Sequence, residues 1–389
     1  MNILVNFYSY YYLIYILFTM VTNINKYRNL IIILTFILSI FGVYMIKESS
    51  KVWAQYLYND SDYFLKKQML YFILGCISFC IGMKTNILHI KKYGFILLIL
   101  SYILLILVLI PGIGVSKNGS TSWLGVGSFT FQPSEFFKLG IIVFNSYYLS
   151  SNYNRSNKIV HLLPLLLINL VGIVLIILQP DFGSCMVILV AIFIQVLLSR
   201  LKGKWFILII ILGLLGILIL IISKSYRLDR IYAFIDPFQD PLGSGFQIIQ
   251  SLYAIGPGGL IGQGINNSIQ IHYYLPEPQT DFIYAIIVEE FGLIGGLIII
   301  FIYTLIIYSS FVLIKNEKEL FKAFLMIGLL GIFMIQVIIN LGVVIGLFPV
   351  TGITLPLISY GGSSLVVIMF SLGLIVNKKG GNDENINRV

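Results

Sequence analysis

The chain has 389 residues, of which 58% are hydrophobic and only 11% charged. Soluble domains carry about 25% charged residues, so a water-soluble globular protein is excluded: there is too little polar surface to cover a core of this size. The net charge of +9 sits in loops between apolar runs, which points to membrane topology and not to nucleic acid.

Residues 1–27 form an N-terminal extension. Ile3–Thr22 is apolar and tyrosine-rich, but no basic segment precedes it and no small-residue cleavage site follows, which argues against a signal peptide. An extra helix, an interfacial segment and an upstream extension with Met20 as an alternative start all stay open. Ten apolar runs follow: Leu30–Ile46, Met69–Met83, Tyr93–Ile110, Phe136–Leu149, Ile159–Leu178, Ser184–Leu198, Trp205–Ser223, Phe282–Leu313, Ala323–Leu347 and Leu355–Val376. A span needs about 20 apolar residues, and only helices or closed barrels can pair every backbone polar group in lipid. The runs are too long and too uniformly apolar for barrel strands. The expected fold is therefore all-α: a ten-helix transmembrane domain over 28–377, a large outer loop at 224–281 between helices 7 and 8, and a short cytoplasmic tail at 378–389. Ten spans put both ends on one side. That side carries 16 of the 25 Lys and Arg, and is assigned to the cytoplasm by the positive-inside rule. Twelve of the 16 acids lie in or beside the opposite loops, so the polar chemistry is on the outer face. Cys76, Cys80 and Cys185 lie in apolar runs without CxxC or Cys/His spacing, and His89, His161 and His272 are scattered. No metal or disulfide framework is indicated.

Five segments carry candidate chemistry. In Asn118–Gly140, Pro133 and Ser134 open a helix that Ser134 is placed to cap, and Glu135 and Lys138 are spaced to pair on one helix face. An ionisable residue inside a span costs about 2.5–3.5 kcal/mol at the helix centre, so it is a functional candidate by default. In Gln179–Ser184, Pro180 ends one helix and Asp181 is placed to cap the next. In Tyr226–Gly264, Arg227 and Arg230 offer outer cations suited to phosphate oxygens, and Gly245–Leu252 reads as a short amphipathic helix. The glycines Gly256 to Gly264 lack GK[ST] and a preceding strand, so tight turns or close contacts are expected there, not a nucleotide loop. In Leu275–Gly296, Thr280 or Asp281 would cap a helix at the membrane boundary, with Glu277 as the nearest acid. A partly desolvated carboxylate there tends toward general-base use. Gly346–Leu365 has no charge but two prolines, Gly-rich turns and hydroxyls including Ser359 and Ser363. Broken backbone at membrane depth is tolerated only inside protein or along a cavity, so this segment is expected to line a groove.

These segments, in this order, resemble the SEDS family (shape, elongation, division and sporulation), which includes FtsW, RodA and SpoVE. The resemblance covers about residues 28 to 377. It rests most on LPEPQTDF, GSGFQIIQSLYAIGPGGL and PVTGITLPLISYGGSSL, whose wording is similar to the FtsW/SpoVE branch of Gram-positive bacteria. It implies a peptidoglycan glycosyltransferase of the bacterial plasma membrane, polymerising lipid II on the extracellular side in cell division or sporulation, beside a class B penicillin-binding protein that crosslinks the strands. The family's essential aspartate falls on Asp281, and its QPSE segment on Gln132, Pro133, Ser134 and Glu135. Thr121 and Ser122 precede Trp123 where many relatives carry a basic residue, and Lys117 is the nearest substitute.

On this reading Asp281 is the catalytic base. Glu277, Glu135, Lys138, Lys117, Arg227, Arg230, Gln132, Ser134, Asp181, Ser359 and Ser363 are candidates for binding lipid II or undecaprenyl-linked glycan. Lys117, Lys138, Arg227 and Arg230, or a divalent cation (Mg or Mn) held by outer carboxylates, would neutralise the leaving diphosphate. The alternatives are a lipid II flippase and a non-catalytic scaffold for a penicillin-binding protein. A flippase needs polar residues along the whole path, whereas the charges here crowd the outer face.

Overall fold

The computed structural model describes residues 24–117, 119–126, 129–272 and 274–378. Most of the N-terminal extension and nearly all of the expected tail lie outside the described residues. Helices run over α1 (Ile24–Tyr58), α2 (Tyr63–Lys84), α3 (Ile87–Leu109), α4 (Pro133–Ser151), α5 (Leu163–Leu178), α6 (Phe182–Leu197) and α7 (Gly203–Ile222). They continue with α8 (Ser225–Ile235), α9 (Phe246–Gly258), α10 (Ile283–Lys315), α11 (Leu320–Val344) and α12 (Gly362–Ile375). Among the described residues six of these, α1, α2, α3, α7, α10 and α11, are long and apolar enough to cross a membrane. The helices α5, α6 and α12 are apolar but shorter.

The all-α expectation holds for the helical domain, with one addition between α3 and α4. Gly114–Lys117 (β1), Ser120–Val126 (β2) and Phe129–Phe131 (β3) form a three-stranded antiparallel sheet, ordered β1-β2-β3. Val115 pairs with Trp123 and Leu124 with Phe131. Strands of three to seven residues give too little alternation to register beside long apolar helices.

The helices are sorted by how much protein surrounds them. The most apolar stretch of α11 is 78% buried, whereas no residue of α7 is buried. A helix that is hydrophobic all round needs apolar surroundings on every side; α11 finds them in protein and α7 in the space a bilayer would fill. The local breaks follow from sequence. Asn86 caps α3 by accepting from the Leu88 amide at 2.9 Å, and Pro133 occupies the first turn of α4, where its missing N–H costs nothing.

Helix α10 is broken at Gly292, whose φ of 70° and ψ of −172° are non-helical. The glycine-rich segment after α9 docks here. Gln263 and Gly264 amides donate to the Glu289 and Glu290 carbonyls at 2.9 and 3.1 Å, and Leu293 and Ile294 amides donate back to Gly259 and Leu260. A Cβ on Gly292 would collide with the Leu260 carbonyl, and one on Gly262 with that of Glu290. Both glycines adopt positive φ, so close backbone approach is what this glycine run provides.

Candidate active site

Three broken segments converge at the ends of α4, α6, α10 and α12. The first junction is built on Asp181. Its carboxylate caps α6 by accepting from the Ser184 amide at 3.0 Å, as the sequence indicates. The same carboxylate accepts from Gln132 Nε2 at 2.8 Å and from Ser134 Oγ at 3.2 Å. Ser134 therefore does not cap α4, contrary to the sequence expectation. The residue before Pro133 that ends the helix is Gln132, without a side-chain cap bond, and the serine hydroxyl is drawn to the charged acceptor of the neighbouring turn. The Gln132 amide donates to Ser363 Oγ at 3.1 Å, joining this junction to the start of α12. Just below, Lys138 Nζ meets Glu135 Oε1 at 2.6 Å with both side chains buried, so the spacing read from sequence does give an ion pair.

The second junction carries Asp281. The half-buried side chain sits one residue before Phe282, which opens α10 without a side-chain cap bond. Neither Thr280 nor Asp281 is the helix cap expected from sequence. The Thr280 hydroxyl lies 2.7 Å from both the Glu277 carbonyl and Asp281 Oδ1. The Asp281 carbonyl accepts from Asn340 Nδ2 at 2.7 Å, and the same amide group donates to the Ile353 carbonyl at 2.8 Å. The Tyr360 amide donates to the Gln279 carbonyl at 2.8 Å. The segment bearing Asp281 is thus tied on both sides to the broken stretch 345–361. An aromatic wall braces that tie: Phe64 meets the Tyr360 ring edge-on at 5.0 Å, and Tyr58 stacks on Tyr63 at 3.7 Å.

Burial raises the Asp281 pKa above the ordinary carboxylate range. The Thr280 hydroxyl and the positive charge of Arg230 pull it back toward ordinary values without cancelling the effect. Arg230 is held near by donating to the Val350 carbonyl at 3.0 Å. The third link is packing: a Cβ on Gly183, two residues after Asp181, would press on the Thr351 carbonyl and the Ile353 side chain. The stretch 345–361 therefore touches both the Asp181 turn and the Asp281 turn.

The remaining candidates fall unevenly. Ser359 is buried and accepts from the Leu355 amide at 2.8 Å, which shapes the broken stretch from within. Glu277 is exposed, with a φ of 45° in the turn leading to Asp281. Arg227 is buried. Its Nη1 donates to the Leu220 carbonyl at 2.6 Å and to Ser223 Oγ at 3.2 Å, closing the end of α7, and its guanidinium lies 5.8 Å from the Phe182 ring centre. Lys117 ends β1; its side chain lies outside the described residues. Among the described residues no three His, Cys, Asp or Glu side chains are grouped to hold a metal ion, and both Asp181 oxygens are already engaged by protein donors.

Asn340 was not singled out from sequence, although it fastens the Asp281 backbone. Its signal was available: a side-chain amide in an apolar, largely buried helix must bond something, and α11 carries two, Gln336 and Asn340. Glu289 is similar. It accepts from the Ser268 hydroxyl and from the Ile269 and Gln270 amides, and so anchors the large loop beside α10.

The family model described as cell cycle protein, FtsW/RodA/SpoVE, matches residues 28–382. The chain belongs to this family. It is 41% identical over 349 residues to stage V sporulation protein E of Bacillus subtilis, covering 90% of this chain and 95% of the relative. It is 36% identical to a probable peptidoglycan glycosyltransferase FtsW of Trichlorobacter lovleyi, covering 92% and 94%. Among solved structures, a chain from a peptidoglycan synthase complex that coordinates polymerization and crosslinking is similar, with a TM-score of 0.71 and 28% identity over 89% of this chain and 95% of the other. The rod shape determining protein RodA of Thermus thermophilus superposes with a TM-score of 0.62 at 25% identity, over 89% of this chain and 94% of that one.

Proposed function

We propose that this chain is a peptidoglycan glycosyltransferase that polymerises lipid II at the outer face of the plasma membrane, with Asp281 as its general base. The observation that carries the assignment is the state of the Asp281 carboxylate. It is half-buried at a helix start, held through its backbone by Asn340, contacted by one hydroxyl and raised in pKa by burial. A base needs a lone pair free for the incoming proton and a pKa closer to the working pH than an ordinary carboxylate has.

In the reaction, Asp281 takes the proton of the sugar 4-hydroxyl of the acceptor lipid II. The oxygen attacks the anomeric carbon of the growing lipid-linked strand. The bond to the diphosphate breaks, undecaprenyl pyrophosphate leaves with its electron pair, and configuration at the anomeric carbon inverts. Arg230, close enough to act electrostatically on Asp281, is the cation best placed to meet the departing negative charge. Arg227 is committed to the end of α7 and contributes by fixing that end. A divalent cation, Mg or Mn, finds no carboxylate cluster among the described residues to hold it. A class B penicillin-binding protein is the expected partner, by similarity to the synthase complex.

Purified full-length Asp281→Asn, which keeps the shape and the Thr280 contact but cannot take a proton, should bind lipid II and lose about 10²- to 10⁴-fold in polymerisation of labelled lipid II. Polymer at the wild-type rate from that variant would end the assignment. Loss of lipid II binding in place of turnover would recast Asp281 as a binding residue.

A further inference from the structure

Two apolar grooves lie at the opposite end of the bundle from Asp281. The first, of 560 Å³, runs along α2 and is lined by Cys76, Ile77, Cys80, Ile81, Lys84 and Thr85. The second, of 280 Å³, lies between α3, α4 and α12, with Thr85 and His89 at one end and Leu97 and Leu139 toward the other. Gly94 is what lets α3 come this close, since a Cβ there would press into the Val143 side chain. The two grooves share Thr85, in the turn between α2 and α3.

Length and charge identify an occupant. Cys76 to Thr85 spans about 14 Å and His89 to Leu97 about 12 Å, at about 1.5 Å per helical residue. One leaflet of hydrocarbon is about 15 Å thick. Each groove is therefore one acyl chain long, and they converge at one polar point. The turn and first helical residues at that point, 84–94, hold Lys84, His89, Lys91 and Lys92 and no acid. Lys84 and His89 are exposed beside the shared Thr85, while Lys92 Nζ lies 5.3 Å from the Tyr93 ring centre and Lys91 Nζ 5.7 Å from that of Phe321. Basic pockets between membrane helices on the positively charged side suit anionic headgroups.

We propose that these grooves bind one anionic diacyl phospholipid of the adjacent leaflet. One chain lies along α2, the other lies between α3, α4 and α12, and the phosphate is held by Lys84 and His89. The site is separate from the glycan chemistry and from its polyprenyl substrate. It would fasten the α2–α3 turn to α12, past whose end Asn377 donates to the Gly82 and Thr85 carbonyls at 2.8 and 2.7 Å.

The test uses the full chain in mild detergent, with dioleoyl phosphatidylglycerol or dioleoyl phosphatidylcholine added, read by native mass spectrometry. Wild type should retain one phosphatidylglycerol per chain and at least tenfold less phosphatidylcholine. Lys84→Gln combined with His89→Gln should reduce phosphatidylglycerol retention tenfold. A second measurement needs no variant: Cys80 is exposed in the wall of the first groove. Phosphatidylglycerol, and not phosphatidylcholine, should slow its alkylation by N-ethylmaleimide about threefold. Equal retention of both lipids together with equal protection of Cys80 would show a plain annulus of bilayer lipid and overturn the proposal. So would full phosphatidylglycerol retention by the double variant.

Discussion

Two aspartates stand at the starts of two helices on the same face of the molecule, each half-buried, and their carboxylates are engaged to different extents. Asp181 accepts from the Ser184 amide, from Gln132 Nε2 and from Ser134 Oγ, so both of its oxygens are spent on joining α4 to α6. Asp281 has the Thr280 hydroxyl and its own backbone amide beside its carboxylate, while its backbone, not its carboxylate, does the fastening through Asn340. Equal exposure therefore says little about role. What separates a structural carboxylate from a reactive one is how many donors already claim its lone pairs. The difference also explains why stretch 345–361 is broken: its free carbonyls at Val350 and Ile353 receive Arg230 and Asn340, which hold the Asp281 turn without occupying its carboxylate.

The largest effect that would sharpen this contrast is the loss of turnover in Asp281→Asn, and its pH dependence follows from the same burial. The carboxyl is raised above its ordinary value of about 3.9. The proposed base works only when ionised, so polymerisation should rise with pH through that raised value, and at lower pH should fall about tenfold per unit. Stability runs the other way. A raised folded-state pKa favours the fold below the unfolded value, and that contribution is lost as pH rises through the folded value. Asp281→Asn mimics the protonated form. It should therefore unfold no earlier than wild type at neutral pH, and together with it under acid conditions. A variant that is inactive because it is unstable would break the contrast.

Next in size is Lys138→Met. Lys138 and Glu135 are both buried and paired at 2.6 Å, and Glu135 Oε2 has no other partner. Removing the cation leaves a buried charge alone, which costs about 3–5 kcal/mol and should show as a lowered unfolding midpoint or as poor recovery of folded protein. Replacing both residues with apolar side chains should recover much of that stability. If the single change were harmless, the pair would not be closed off from water as its burial implies. Asp181→Ala follows at about 1–3 kcal/mol, the cost of stranding part-buried donors. It should lower the unfolding midpoint by more than Asp281→Ala does. The reverse order would mean that the two aspartates had been assigned the wrong way round.

Much of this was legible in the sequence, and the rest was hidden for definite reasons. Apolar runs located the long helices because lipid-length segments are a strong signal. The Glu135–Lys138 pair could be read from its i, i+3 spacing, and the Asp181 cap from its place after Pro180. Ser134 and Asp281 were misjudged as caps because local rules assume that a side chain bonds its own helix. Here a hydroxyl prefers the neighbouring Asp181, and the start of α10 is fixed by Asn340 from 59 residues away. The sheet of β1–β3 was missed because its strands are short. Arg227 looked like an open phosphate ligand because nothing local announces that its guanidinium folds back seven residues onto Leu220. For Ser134 and Asp281 contacts from distant segments decide the outcome, and single-segment reasoning cannot supply them.

The smallest expected effect lies on the rim of the same face and sets a floor for the comparison. Lys66 Nζ and Asp60 Oδ2 are 2.7 Å apart, as close as the buried pair of α4, but the side chains are 67% and 38% exposed. The Lys66 hydrogen bond, helped by the Asp62 amide, holds the Asp60 carboxyl below its ordinary range. A lowered folded-state pKa contributes stability above the unfolded value of about 3.9 and loses it on acidification. In water, however, such a pair is screened and its long lysine must be ordered. Lys66→Gln should leave the unfolding midpoint unchanged at about 0.15 M salt, with any shift appearing only at low ionic strength. A loss rivalling that of Lys138→Met would mean that distance, and not burial, governs these pairs, and the distinction between the satisfied interior and the open rim would fail with it.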